Sequence, residues 1–251
     1  VLRPEALHLA PPIGYPTVTH FTEKENAMRV TVILLAAGLF ATTGATQGTI
    51  VGSEHDFSNA SWNQGAGSKQ NEVCGVCHIP HVEGRPADRT NAVVLWGRQL
   101  STATYTMYFS YSLDGVQDAQ PEGSTRLCLG CHDGTVALEL FHTRTTGSTQ
   151  IGTDYIIPGK PNGDFGADHP ISITYADGPT GDPYLRPRTT LFGGVLPNQT
   201  IDDVLEGGKV QCVSCHDPHN VEVPAGAPDF LRIKNNDPAN PSALCLACHI
   251  K

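Results

Sequence analysis

The eight cysteines of this 251-residue chain all fall into one short pattern, repeated four times. The boxes are Cys74-Gly-Val-Cys77-His78, Cys128-Leu-Gly-Cys131-His132, Cys212-Val-Ser-Cys215-His216 and Cys245-Leu-Ala-Cys248-His249. Zinc ribbons also use Cys-x-x-Cys pairs, and exported proteins oxidise cysteines to disulfides. Neither gives a reason for a histidine directly after every pair. With 11 His in the chain, composition alone would supply all four with a probability of roughly 10⁻⁵ to 10⁻⁶. A thioredoxin-like site needs one such motif in a βαβ context, not four. The pattern is the attachment signature of c-type haem. Two thiols add across the porphyrin vinyl groups, and the adjacent imidazole ligates the iron from one face. Four covalent haem c groups are therefore expected, with His78, His132, His216 and His249 as proximal iron ligands.

The boxes are not equivalent. The first and third continue as Cys-His-x-Pro-His and add His81 and His219; the second and fourth read Leu-Cys-Leu-x-Cys-His. Ahead of each pair stands a similar segment, Glu54-His55-Asp56-Phe57-Ser58 and Asp168-His169-Pro170-Ile171-Ser172. The chain thus holds two copies of one unit, about 50–140 and 165–251: a lone histidine, a CxxCHxPH box and an LCLxCH box. Bis-histidine ligation of four irons needs four distal imidazoles, and the repeat offers four: His55, His81, His169 and His219. A histidine three residues after a proximal ligand lies about one helical turn away. It cannot reach the far face of the same porphyrin, so His81 and His219 should each serve a neighbouring haem. His142 has no counterpart in the second unit and is read as a surface residue. Met107 is read as packing against a porphyrin edge rather than ligating iron.

Residues 28–48 look like a secretory signal: Arg29, an apolar run from Val30 to Ala41, then small residues. The run of about 12 residues suits a signal core and is too short to span a bilayer. No cysteine follows it in a lipoprotein position, so no membrane anchor is expected. Residues 1–27 are read as an upstream mis-start extension, with a disordered tail as the alternative. Residues 1–48 hold three basic and three acidic side chains, which leaves 13 Lys and Arg against 22 Asp and Glu in 49–251. That balance argues against nucleic acid and anionic membranes as partners, since both need basic patches. Hydrophobic content is 39% and aromatic content 7%, with 26 Gly and 19 Pro. About fifty residues per haem is little more than a wrapping, so the porphyrins are expected to form the core. The expected fold is a multihaem cytochrome c: mostly loops, with a few short α-helices wrapped around a stacked haem chain.

The sequence resembles the tetrahaem cytochromes of the doubled-CXXCH class, and within it the OmcE-type extracellular cytochromes that form nanowires. The residues that carry the likeness are Ile50-Val51-Gly52-x-x-His55-Asp56-Phe57-Ser58 and Glu72-Val-Cys-x-Val-Cys-His-x-Pro-His81. They continue through Leu127-Cys-Leu-x-Cys-His-Asp-Gly-Thr-Val-Ala-Leu138, Asp168-His-Pro-Ile-Ser172, Cys212-x-x-Cys-His-Asp-x-His219 and Ala243-Leu-Cys-Leu-x-Cys-His249. The resemblance implies paired bis-histidine haems, head-to-tail homopolymers and a distal ligand contributed by a neighbouring subunit.

The expected function is electron transfer rather than catalysis, as the subunit of an extracellular or cell-surface conductive filament. Its redox partners would be other cytochromes or extracellular acceptors. A monomeric periplasmic shuttle with the same ligation is the alternative. A multihaem reductase would need an iron with an open face, and the histidine count leaves none short of a partner.

Overall fold

Loops that turn on glycine and proline cannot run long ladders, and in the computed structural model regular elements are short and few. Residues 49–79, 95–157, 163–178 and 181–250 are described, and all lie in one unit, Thr46–Lys251. The elements are α1 (Gly123–His132), a 3₁₀ turn (Thr153–Tyr155), β1 (Ile173–Thr174), α2 (Ile201–Val204), β2 (Lys209–Val210), α3 (Cys212–Cys215) and α4 (Ala243–Cys248). The two strands pair antiparallel, Ile173 with Val210 and Thr174 with Lys209. Few helices and little sheet agree with the loop-rich fold expected. Residues 1–48, with the signal and the upstream segment, lie outside the described residues, as does His81.

Among the described residues every helix except α2 carries a box. The longest, α1, ends where Gly134 takes a left-handed φ of 70°, and its N–H donates to the Cys131 carbonyl at 3.1 Å. Glycine meets that conformation without the Cβ penalty, so the helix stops just past His132. At the other end the Glu206 carboxylate accepts the Ser124 N–H at 2.9 Å, which satisfies an orphan donor and suits the positive end of the helix dipole.

The duplication recurs in the backbone. Ile79 N–H donates to the Leu95 carbonyl and Gly97 N–H to the Cys77 carbonyl; Asp217 N–H donates to the Phe230 carbonyl and Arg232 N–H to the Cys215 carbonyl. Both HxPH boxes are thus clipped by an antiparallel bridge, His78 to Trp96 and His216 to Leu231. The residue that turns the chain into each bridge is left-handed and not glycine: Leu95 at φ 49° and Phe230 at φ 58°. Such a conformation costs on the order of 1 kcal/mol and persists only where the surroundings impose it. The fourth box has the same clip with the partner strand ahead of it: His249 bridges Leu185, and Arg186 N–H donates to the Cys248 carbonyl.

Apolar burial is modest. Tyr175, Phe192, Ile201 and Val204 form one cluster in the second repeat, backed by α4. Ahead of β1 the chain buries Val76, Ile79, Leu100, Leu129, Val136, Phe141 and Phe165. Between α1 and α3 the packing is polar. Thr125 Oγ1 donates to Gln211 Oε1 at 2.6 Å and accepts the Cys212 N–H at 3.1 Å. Ser172 Oγ donates to the same Gln211 oxygen at 2.9 Å, and the Gln211 N–H donates to Ser214 Oγ at 3.0 Å. All four side chains are buried, and each satisfies another, which is the condition for keeping polar groups inside.

Candidate metal centres

A Cys-x-x-Cys-His segment wound into one helical turn puts both sulfurs on one face and leaves the imidazole at the exit. Three boxes show that turn directly: the histidine N–H donates to the first cysteine's carbonyl at 2.9 Å for His78, 3.0 Å for His216 and 2.9 Å for His249. His132 closes the ten-residue α1. No two of the eight cysteines are joined by a disulfide. Burial pushes the Cys77, Cys215 and Cys248 thiols up to about 11. The Cys128 thiol is driven up chiefly by its hydrogen bond with Cys212, which is held low by the same contact. The two cysteines belong to the second and third boxes, which meet where α1 packs on α3. Among the described residues no group of three or more His, Cys, Asp or Glu converges as a metal site. Protein-only tetrahedral coordination, the zinc alternative, therefore has no cluster there to use.

What the fold does assemble is pairs of histidines. The rings of His55 and His132 have centroids 6.2 Å apart. Those of His78 and His219 are 6.1 Å apart and within 20° of parallel. Those of His169 and His249 are 6.2 Å apart, at 73°. An imidazole nitrogen sits about 2.0 Å from a metal it ligates, and roughly 1.1 Å ahead of its own ring centroid. Two imidazoles on opposite faces of one iron therefore have centroids roughly 6.3 Å apart. The three pairs fit a haem iron between them, which needs only two protein ligands because the porphyrin supplies four. Each pair joins a proximal histidine of a box to one of the extra histidines. His216 is left at the exit of α3.

The free nitrogens are disposed for that role. His132 Nδ1–H donates to the Tyr155 carbonyl at 2.9 Å and His216 Nδ1–H to the Asp229 carbonyl at 2.5 Å. His55 Nδ1–H reaches the Pro218 carbonyl at 3.3 Å, and His169 Nδ1–H the Pro170 carbonyl at 2.9 Å. A carbonyl can only accept, so Nδ1 carries the proton and the Nε2 lone pair is available for iron. Burial lowers the His55 pKa, opposed by its bond to Pro218, which favours the neutral, ligating ring. Phe230 stacks on His55 with centroids 4.7 Å apart and fixes the plane of the imidazole.

Two residues carry roles that motif reading missed. His142, read as a surface histidine, is half-buried against the first box, where its Nε2 bonds the His78 carbonyl at 3.1 Å. Asp217, inside the third box, is 5% exposed. Its carboxylate accepts the backbone N–H groups of His219, Val221 and Glu222 at 3.1, 2.7 and 2.6 Å, which shapes the loop that presents His219. An acidic residue directly after a box histidine was the available signal. No pattern distinguishes it from a solvated one.

Residues 204–251 match the family model described as the doubled CXXCH motif. No curated protein matches the chain. The matched segment holds the third and fourth boxes, and the first and second repeat their order upstream. The doubled motif supports a multihaem c-type cytochrome whose chemistry is haem-based electron transfer.

Proposed function

We propose that the chain carries four closed, six-coordinate haems and passes electrons along them as the repeating subunit of an extracellular filament. The observation that supports closed ligation is the spacing of the three histidine pairs, each near the separation that one iron between two imidazoles requires. Each lone histidine is assigned to the LCLxCH box of its own repeat: His55 with His132, and His169 with His249. The HxPH boxes exchange partners, so His219 of the third box serves His78 of the first. By the same two-fold rule His81 is the partner assigned to His216. When bound, haem iron supplies one-electron chemistry, cycling between its ferric and ferrous states.

The residues themselves orient the rings and keep both axial positions occupied. One short peptide ties three ligand pairs together. His216 belongs to one, His219 to a second, and the Pro218 carbonyl holds His55 of a third. Rigidly spaced redox centres of this kind suit stepwise transfer. The filament rests on the resemblance to OmcE-type cytochromes. Export, the four-haem count and the head-to-tail homopolymer belong to this proposal with it. A monomeric shuttle is the second reading, and one feature favours it: three of the ring pairs are complete within a single chain, so a lone subunit already has them.

Electron microscopy of the secreted fraction separates the two. Filaments with a repeat of one subunit are expected, and a monodisperse small particle at high concentration would overturn the polymer. Ligation is tested by carbon monoxide. The reduced protein is expected to bind none, and His55→Ala to bind one equivalent. Uptake by the unaltered protein would overturn closed ligation.

A further inference from the structure

A buried cation demands an anion, and one in this structure has none among the described residues. Arg98 is 2% exposed. Its Nη2 donates to the Leu138 carbonyl at 3.0 Å, and its guanidinium contacts the Cys131 thiol and acts on Cys77. Its Nε–H has no acceptor, and no carboxylate lies within ion-pair distance among the described residues. Asp133, the carboxylate that acts on Cys131, is occupied by the hydroxyls of Tyr105 and Thr135 at 2.7 and 2.9 Å. A second guanidinium repeats the anomaly. Arg144 has a buried Nη1 without an acceptor and likewise makes no ion pair. Both stand over the same ring: Cζ of Arg98 is 5.7 Å and Cζ of Arg144 5.2 Å from the Phe141 centroid.

An unpaired buried charge costs several kcal/mol, which is why buried charges are almost always paired. Attachment of haem makes the need sharper, because Cys77 and Cys131 become thioethers, which cannot ionise to a thiolate that would offset the charge. The same event brings carboxylates into the first and second boxes. We infer that Arg98 and Arg144 form an anion site for a porphyrin propionate, with Arg98 as its buried anchor and Phe141 as the surface that holds both guanidiniums in place. The site belongs to a haem attached at the first or second box. Guanidinium suits it because its fork of N–H donors matches a carboxylate two bonds at a time. This inference rests on the haem reading above.

The test is a redox titration of the intact protein beside the Arg98→Gln, Arg98→Lys and Arg144→Gln variants. Removing a positive charge near an iron favours its ferric form. In Arg98→Gln one of the four one-electron waves should fall, by tenfold or more in the ferric-to-ferrous ratio, about 59 mV for one electron. Arg144→Gln should lower the same wave by less, and Arg98→Lys should restore part of the shift. In the redox-difference infrared spectrum, a carboxylate stretch present in the unaltered protein should move in Arg98→Gln and Arg144→Gln alike. Four haems with waves superimposable on the unaltered protein in both Gln variants would overturn the site. So would shifts in two different waves. If Arg98→Gln loses a haem, the half-buried Arg144 alone decides, and no shift there counts against the proposal. Failure of the haem reading looks different: the unaltered protein would then lack four low-spin haems before any arginine is changed.

Discussion

At the scale of single residues, chemistry-bearing side chains were legible and their supports were not. Thiol and imidazole types at fixed spacing are what single out Cys74 through His249 as candidate haem residues. The lone His55 and His169 stand out because a repeat aligns them. The partners that aim those rings are backbone carbonyls: Tyr155 for His132, Pro218 for His55 and Asp229 for His216. A carbonyl belongs to every residue, so no sequence pattern can single one out. The same blindness hides Asp217. Its three backbone bonds make a specific prediction: Asp217→Ala leaves three N–H groups short of an acceptor. With one to three of them staying dry, the loss is about 1–3 kcal/mol per group. A lowered midpoint in chemical denaturation, with the haem content unchanged, is the expected result. Asp217→Asn, which keeps an acceptor oxygen, should recover much of it.

Among the elements, the sequence foretold a few short helices among loops, and three of the four described helices carry a box. It did not foretell the clips. Leu95-Trp96-Gly97 and Phe230-Leu231-Arg232 share no side-chain pattern, yet they make the same bridge with the same left-handed first residue. Backbone pairing needs only a free N–H and C=O, so two repeats can diverge in sequence and keep it. The joint between α1 and α3 is the reverse case, because it depends on side chains from three distant stretches. Thr125 is fully buried and engages both Gln211 and the Cys212 N–H. Thr125→Val keeps the shape and deletes the hydroxyl, which leaves the Cys212 N–H without its acceptor and Gln211 Oε1 with the Ser172 hydroxyl alone. About 1–3 kcal/mol of destabilisation is expected, read as a fall in the unfolding midpoint, whereas Thr125→Ser should be milder. Helix α2 adds a pH dependence. The Asp203 carboxyl is held below its usual range by bonds from the N–H and hydroxyl of Thr200, both 2.7 Å long. A carboxyl with a lowered folded pKa contributes stability above its unfolded value of 3.8, and loses it as pH falls through the lower folded value. Asp203→Asn should flatten that part of the acid-stability curve, and an unchanged curve would count against the bond.

For the molecule as a whole, the loop-rich architecture follows from a balance visible in composition: 39% hydrophobic and 7% aromatic residues have to enclose a chain that turns constantly. The main buried apolar cluster has four members, and several large side chains stay exposed, Phe109 at 71%, Tyr155 at 58% and Tyr184 at 69% among them. Two of these adjoin candidate ligands. The Tyr155 carbonyl accepts from His132, and the Tyr184 carbonyl accepts the N–H of Ile250, next to His249. The short strands and four-residue helices are too small to hold themselves, since isolated helices below about 12 residues are marginal in water. Stability should therefore depend on haem attachment as zinc-finger stability depends on zinc. The chain produced without haem attachment, or with all eight cysteines changed to serine, is expected to lack a cooperative thermal transition and to elute with the larger radius of an unfolded chain. Changing the cysteines of the fourth box alone should loosen α4 and its contacts with Tyr175, through the bond from the Tyr175 hydroxyl to the Cys248 carbonyl, while the first three boxes keep their haems. A cysteine-free chain that still melts cooperatively would mean that the protein's own apolar cluster is sufficient. The porphyrins would then be passengers in this fold rather than its core.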